Sequence, residues 1–264
     1  MRKMLLPLLL LGFAAPAFAA EIDGGDLIAT YEFPASQAVI LAPDAIVGAY
    51  ANVINFLGSG YAPGGAALQA GNTITRLVAD DLTPNPIYAG LDVVSFSFGL
   101  VNFNSAAVSF RPRVRFWFAD GAGGLPGTYY NLPAAVGFTF NPVVMNGGSA
   151  TVFTANVAAG VFQMPGATFW AGVTFDNNTG ATGTTAAQLD NVGVALFDPP
   201  TAGTSTDVLF QTAAAGSFFA PNSPAGATFN FLGNPVANAG WAFNVDTATP
   251  AETSSWGRLK RIYR

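Results

Sequence analysis

The chain has 264 residues, a formal net charge of −5, and neither histidine nor cysteine. The lack of these two residue types excludes imidazole base catalysis, thiolate nucleophiles, disulfide bonds and most transition-metal sites. The 23 phenylalanines, the 30 glycines and a charged fraction of only 9% are typical of an all-β protein.

The first residues have the features of a secretory signal peptide. Arg2 and Lys3 precede an apolar run at residues 4–13, and Ala17-Phe18-Ala19 forms a small-x-small cleavage site. Residues 1–19 are therefore predicted to direct export to the cell surface or the extracellular medium and to be removed from the mature protein. Beyond the signal no stretch approaches the roughly 20 apolar residues of a membrane-spanning helix, so none is expected in the mature protein.

The remaining chain reads as short strands separated by turn residues, with no convincing helix before the C-terminal tail. One segment, 45–57, also has apolar spacing that suits a buried helical turn. Turns at this spacing predict a two-sheet antiparallel β-sandwich with jelly-roll-like connections, forming one domain over residues 20–247. The predicted strands are 27–33, 45–57, 74–82, 93–103, 110–120, 136–140, 150–157, 168–175, 192–197, 207–212, 228–232 and 241–246.

Charge is unevenly distributed along the chain. Residues 20–255 contain 15 acids and four arginines, whereas Arg258, Lys260, Arg261 and Arg264 make the tail basic. An acidic body without a basic groove argues against nucleic acid as a partner, because phosphate neutralisation by Lys and Arg dominates that binding.

Three of the body's four arginines lie in one predicted strand. Alternation places Phe110, Val114, Phe116 and Phe118 on one face and Arg111, Arg113, Arg115 and Trp117 on the other, which we call the arginine face. This face is either a binding site, where the arginines contact acidic sugars or carboxylates and Trp117 stacks on a ring, or a structural element. In the structural interpretation the arginines pair with Asp80 or other acids on neighbouring strands, and the excess of acids favours it.

Hard oxygen ligands indicate a possible calcium site that stabilises a disulfide-free domain. The candidate ligands are Asp80, Asp81, Asp176, Asn177 and Asn178, and the alternative is that residues 176–185 are a long polar turn. Paired carboxylates would also suit glycoside hydrolysis, with Asp80, Asp81, Asp120 and Asp176 as candidates. Asp80 and Asp81 point to opposite faces if they lie in a strand, so they are not expected to form the pair themselves.

Four motifs carry a family resemblance: Arg111-Pro-Arg-Val-Arg-Phe-Trp117, Gly124-Leu-Pro-Gly127, Phe169-Trp-Ala-Gly-Val-Thr-Phe-Asp176 and Gly233-Asn-Pro-Val-Ala-Asn-Ala-Gly-Trp241. Their combination resembles exported bacterial β-sandwich proteins of unknown function, some of which end in PEP-CTERM-type sorting signals. The resemblance implies a surface or extracellular location and supplies no catalytic residue. The tail departs from the pattern, because Pro250-Ala-Glu252 only partly matches the motif and no hydrophobic span precedes the basic residues.

The tail at residues 248–264 is a linker followed by a short basic amphipathic segment. Trp256, Leu259 and Ile262 recur at helical spacing among the cations Arg258, Lys260 and Arg261, as in an interfacial helix or a sorting signal. The alternative is a frayed terminus that its charge keeps in solution.

Three functional classes follow. The leading one is a non-catalytic surface or extracellular-matrix protein with an adhesive role. The second is a carbohydrate-binding module that uses the arginine face, and the third is a glycan-active hydrolase or lyase that uses Asp carboxylates. The expected partners are an extracellular glycan or further copies of the chain.

Overall fold

The computed structural model describes residues 21–40, 48–130, 137–219 and 222–247. Eighteen strands lie within these ranges. In chain order they are β1 (Ile22–Gly25), β2 (Ile28–Pro34), β3 (Ala38–Ile40), β4 (Gly48–Asn52), β5 (Asn55–Tyr61), β6 (Ala67–Gln69), β7 (Asn72–Ile74), β8 (Val78–Leu82), β9 (Val93–Asn102), β10 (Val108–Phe118), β11 (Phe138–Phe140), β12 (Val143–Met145), β13 (Ser149–Asn156), β14 (Phe169–Asp176), β15 (Val192–Phe197), β16 (Leu209–Thr212), β17 (Gly226–Phe229) and β18 (Trp241–Val245).

The strands form two sheets, which confirms the predicted all-β sandwich. Sheet 1 runs β1-β11-β10-β14-β8-β16-β17, with β6, β7 and β12 attached, and sheet 2 runs β2-β13-β9-β15-β5-β3, with β4 and β18 attached. The β1–β11 pair is parallel and the other pairs of named strands are antiparallel. From β8 to β10 and from β13 to β16, successive strands alternate between the sheets, as in a jelly-roll-like connection.

Two predicted segments are each divided into two strands in the structure. The ambiguous segment is extended over its described part, as β4 and β5, and the segment at 74–82 becomes β7 and β8. Thr75 lies in the break between β7 and β8. Its hydroxyl forms a hydrogen bond with Thr174 Oγ1 at 3.1 Å and accepts one from Phe175 N at 3.2 Å, which interrupts the strand.

The structure also contains short helices that the sequence did not indicate. α1 (Ala186–Leu189) begins with a capping box, in which the Thr185 hydroxyl accepts from Gln188 N and the Gln188 side chain accepts from Thr185 N. Four 3-10 helices span Pro86–Tyr88, Ala122–Gly124, Asn178–Gly180 and Ala215–Phe219. Among the described residues, no helix combines the length and the apolar character that crossing a bilayer requires.

The main core lies between the sheets and is rich in phenylalanine. From β10 it receives Phe110, Val114 and Phe116, as the alternation predicts. Phe118, expected on the same face, is 39% exposed at the strand end and packs against Tyr130, with ring centroids 4.9 Å apart. Strand ends lie at the rim of a sandwich, so the inward face there reaches solvent.

Two further apolar clusters bury parts of the sheets' outer faces. On sheet 2, Phe33, Phe56 and Phe197 form one of them, with the Phe33 and Phe56 rings 4.6 Å apart. On sheet 1, Trp117, Trp170, Phe210, Ala215 and Phe218 form the other. The arginine face lies on the outer side of sheet 1, and its Trp117 belongs to this second cluster.

Phe116 is a central ring of the main core, and Phe116→Ala should lower the free energy of unfolding by about 3–5 kcal/mol. Its ring centroid lies 4.7 Å from that of Phe162 and 5.8 Å from that of Phe243, so truncation leaves a cavity that rigid neighbours cannot fill. Urea denaturation measures the effect. Val144→Ala, at a side chain that is 69% exposed, is the control and should change stability by less than about 0.5 kcal/mol.

Candidate functional site

The arginine face meets a buried carboxylate on the neighbouring strand. The β10–β14 register sets Arg111 opposite Asp176 and Trp117 opposite Trp170. The Asp176 side chain is 0% exposed and accepts from Arg111 Nε at 2.9 Å and from Arg111 Nη2 at 3.0 Å. Arg113 Nε lies 2.8 Å from the same carboxylate, so one acid neutralises two guanidinium groups.

The remaining charge of the arginine face is covered by two other chain segments. Glu21 lies 3.5 Å from Arg113 and 3.9 Å from Arg115. The Phe218 ring, in the 3-10 helix Ala215–Phe219, lies 4.1 Å from the Arg115 guanidinium carbon and 5.6 Å from that of Arg113. The side chains of Arg113 and Arg115 are only 10% and 3% exposed.

Burial leaves part of the Arg115 guanidinium without hydrogen-bond partners. Its Nε and Nη1 are buried without a hydrogen-bond partner among the described residues. Burial lowers the pKa of Arg115 to about 10, although the nearby Glu21 carboxylate acts in the opposite direction. The guanidinium therefore depends on Glu21 and on the Phe218 ring for compensation.

Trp117 is fully buried. A Cβ at position 172 would lie 3.0 Å from the Trp117 ring and 2.7 Å from the Leu77 side chain, so Gly172 leaves the space that the indole occupies. The ring packs within the sheet 1 cluster and presents no face to solvent. Asp80, named as a partner for the arginines, is instead opposite Ala171 on β14.

The predicted calcium ligands fall into two separate groups. Asp80 and Asp81 are adjacent on β8. Asp80 is opposite Ala171 on β14, and Asp176 lies five residues further along β14, roughly 17 Å from that position. Asp176 is occupied by Arg111 and Arg113, and Asp176 Oδ1 also accepts from Asn178 N at 2.8 Å. Asn177 Oδ1 accepts from Thr73 N at 2.9 Å, so this second group forms a polar turn. In the described ranges, no three acidic, histidine or cysteine side chains cluster as metal ligands.

The two carboxylates on β8 face opposite sides of the strand, as the alternation predicts, because Asp80 is opposite Ala171 of the main core and Asp81 is opposite Trp170 of the outer cluster. One hydroxyl nevertheless contacts both carboxylates. Ser205 Oγ lies 3.1 Å from Asp80 Oδ1 and 3.4 Å from Asp81 Oδ1. Burial, and secondarily the Asp81 charge, raise the pKa of Asp80 well above its usual value, and burial raises that of Asp81. Asp120 lies elsewhere, in an exposed turn, where hydrogen bonding from Thr128 lowers its pKa.

Other predicted segments fall outside the described residues. These are the signal peptide at 1–19 and the tail residues Trp256, Arg258, Leu259, Lys260 and Arg261.

A polar cleft of about 430 Å³ opens where the arginine face reaches the surface. Arg111, Arg113, Glu21, Asp23 and Asn141 contribute to its lining. The guanidinium groups there are already paired with Asp176 and Glu21, so the cleft has little uncompensated charge for a ligand.

A second cleft, of about 420 Å³, was not identified from the sequence. We call it the aromatic cleft; Tyr61, Arg76, Gln211 and Phe229 are among its lining residues. The Tyr61 ring lies 4.6 Å from that of Phe229 and 5.9 Å from that of Phe231, and all three rings are half-buried. The cleft therefore combines partly exposed ring surface with a cation and an amide.

Arg76 is held in the aromatic cleft by the loop before β6. Its backbone N–H donates to Gly64 O at 3.1 Å, and a Cβ at position 65 would lie 2.7 Å from Arg76 Nε. Gly65, with a φ of +65°, thus lets the loop lie against the side chain. Within the described residues Arg76 forms no ion pair, and its Nε is buried without a hydrogen-bond partner.

The remaining groups of the aromatic cleft are also fixed. Gln211 Nε2 donates to Pro63 O at 2.7 Å, which orients the amide. Burial raises the pKa of Tyr61, although the Arg76 charge acts against that shift, so its hydroxyl stays protonated at neutral pH. One feature of the sequence indicates the aromatic cleft, because Arg76 is the single cation of residues 20–255 outside the arginine face.

Comparisons with protein-family models, with curated proteins and with solved structures found no match to this chain.

Asp176→Asn tests the ion pairs of this buried carboxylate and should lower the free energy of unfolding by about 3 kcal/mol, because two largely buried guanidinium groups lose their shared counter-charge. Chemical denaturation measures it. The matched control is Asp120→Asn, whose carboxylate also accepts a backbone N–H but is exposed, and which should leave the midpoint nearly unchanged. Equal midpoints for the two variants would contradict a structural role of the arginine face.

Proposed function

We propose that the protein is a non-catalytic, exported component of the cell surface or extracellular matrix that adheres to glycans through the aromatic cleft. The observation that carries the proposal is the juxtaposition of partly exposed Tyr61 and Phe229 rings with Arg76, a cation that forms no ion pair within the described residues. The signal peptide predicted at residues 1–19 supports export.

The chemistry of the aromatic cleft suits an acidic sugar. A pyranose ring has an apolar face that packs against aromatic side chains, while its hydroxyls need an oriented polar partner such as Gln211. The Arg76 guanidinium presents donors in a planar fork that matches a carboxylate. A uronic acid residue in a polysaccharide supplies all three features.

The arginine face is less suited to this role. A ligand there would have to displace Asp176 or Glu21 from guanidinium groups that are largely buried, and Trp117 has no exposed ring surface to offer. Its contacts instead support a structural role in the sandwich.

The proposal predicts saturable binding of a uronic-acid oligosaccharide, measured by isothermal titration calorimetry on the purified protein. Arg76→Ala and Phe229→Ala should each weaken binding about tenfold, which corresponds to ~1.4 kcal/mol. Carboxyl reduction of the same oligosaccharide should weaken binding to the wild-type protein and have little further effect on Arg76→Ala, because the variant has already lost the ionic contact.

Phe103→Ala is the matched control, since this ring is 45% exposed and lies outside the aromatic cleft. It should bind as the wild type does. Absence of binding to any uronic-acid oligosaccharide, or equal loss of affinity in Phe103→Ala and Phe229→Ala, would rule out the aromatic cleft as the glycan site.

A further inference from the structure

A buried cluster of oxygen atoms lies at the edge of β8, away from the aromatic cleft. Its members, which we call the Asp80 cluster, are Asp80, Asp81, Ser205, Thr206 and Asn238. Asp80 is 0% exposed, Asp81 9% and Asn238 2%, so most of these oxygens are removed from water. The loop that carries Ser205 and Thr206 runs along β8, where Thr83 and Thr204 form an isolated bridge.

Asp80 Oδ2 accepts from Ala239 N at 2.8 Å, and Asp81 accepts from Thr206 N at 3.1 Å and from Thr206 Oγ1 at 2.8 Å. The Asp80 cluster still has more acceptors than donors. Ser205 Oγ has four oxygens within hydrogen-bond distance: Asp80 Oδ1 at 3.1 Å, and Asp81 Oδ1, Thr206 O and Asn238 Oδ1 each at 3.4 Å. A serine hydroxyl carries one proton, so it satisfies only one of the four. The orientation of Asn238 is fixed, because its Nδ2 donates to Asp198 Oδ1 at 3.0 Å and thereby directs its Oδ1 towards Ser205.

A second observation comes from the opposite sheet. The Tyr50 hydroxyl, on β4, is fully buried and has no hydrogen-bond partner among the described residues. Asp80, Ser205 and Asn52 are near this hydroxyl, although Ser205 and Asn52 do not meet hydrogen-bond geometry with it. A buried polar atom without a partner is costly, and here it faces a group of electron-rich oxygens.

We propose that the Asp80 cluster binds a calcium ion between the two sheets. Asp80, Asp81, Ser205, Asn238, the Thr206 carbonyl and the Tyr50 hydroxyl together offer six oxygens, within the six to eight that calcium takes, and the two carboxylates balance its charge. Neighbouring oxygens in a pentagonal-bipyramidal calcium shell lie about 2.8–3.4 Å apart, which matches the spacing around Ser205.

The surroundings agree with a cation at this position. The ion pairs of the described residues place Arg111, Arg113 and Arg115 on Asp176 and Glu21, so no arginine or lysine there neutralises Asp80 or Asp81. Asp81 also lines a surface cleft of about 510 Å³ with Thr206, which gives an ion a route from solvent. Magnesium fits less well, because it keeps several waters and demands octahedral geometry.

The test begins with the chelator-treated wild-type protein, titrated with calcium chloride in a calorimeter and melted with and without the ion. Calcium at about 100 times its dissociation constant should raise the melting temperature by about 5–10 °C, and magnesium at the same concentration by clearly less. Asp80→Asn and Asp81→Asn should each raise the calcium concentration needed for the same melting shift at least about tenfold.

Asp120→Asn is the control, since it removes an exposed carboxylate outside the Asp80 cluster and should retain the full shift. If Asp80→Asn does not fold, the calcium response of Asp81→Asn and the titration of the wild-type protein still test the proposed calcium site. The proposal is overturned if the wild type shows neither binding heat nor a melting shift with calcium, or if Asp81→Asn keeps the wild-type response. A more stable Asp80→Asn protein without a calcium effect in the wild type would mean that the cluster holds a proton.

Discussion

The fold depends on compensating three arginines at alternate positions of one strand, of which Arg113 and Arg115 are buried. Removing a charge from water costs several kcal/mol, so the arginine face is stable only while its partners remain in place. Asp176 supplies one counter-charge, Glu21 a second, and the Phe218 ring covers the two most buried guanidinium groups. A shift of one residue between β10 and β14 would separate Arg111 from Asp176, so the ion pairs also fix the register of sheet 1.

This constraint determines where ligands can be recognised. Because the arginine face is paired internally, we place the candidate ligand sites elsewhere, in the aromatic cleft and in the Asp80 cluster. The first combines a cation with ring surface, and the second combines carboxylates with neutral oxygens. Because their charges are opposite, we propose different ligands for them, an acidic sugar for the aromatic cleft and a metal cation for the Asp80 cluster. A bound cation would also connect β8 to β4 across the sandwich in a chain that has no disulfide.

Strands with clean alternation could be predicted from the sequence. In β10 and β14 every second side chain is apolar and faces the core, so the position and orientation of these strands follow from the period of two. The short edge strands β3, β6 and β12 have three residues each, too few for a period to appear. Segment 74–82 was predicted as one strand because Thr75 fits the alternation, although its hydroxyl bonds to β14 interrupt the ladder.

The sites were harder to predict because each is assembled from residues far apart in the chain. Glu21 and Phe218 reach the arginine face from opposite ends of the domain, and no local pattern identifies either of them. Tyr61, Arg76 and Phe229 meet only because β5 and β17 approach each other in the folded protein. Asp80 and Asp81 alternate as expected of a strand, but the loop at Ser205 contacts both carboxylates, which depends on tertiary structure.

Arginine-specific labelling tests most directly whether the arginine face is internal. The folded protein would be treated with phenylglyoxal, digested and analysed by mass spectrometry, with the urea-unfolded chain as reference. We expect Arg76 to react readily in the folded state, while Arg113 and Arg115, whose side chains are 10% and 3% exposed, react only after unfolding. Labelling of Arg113 and Arg115 at the rate of the unfolded chain, in protein that is still folded, would contradict the account.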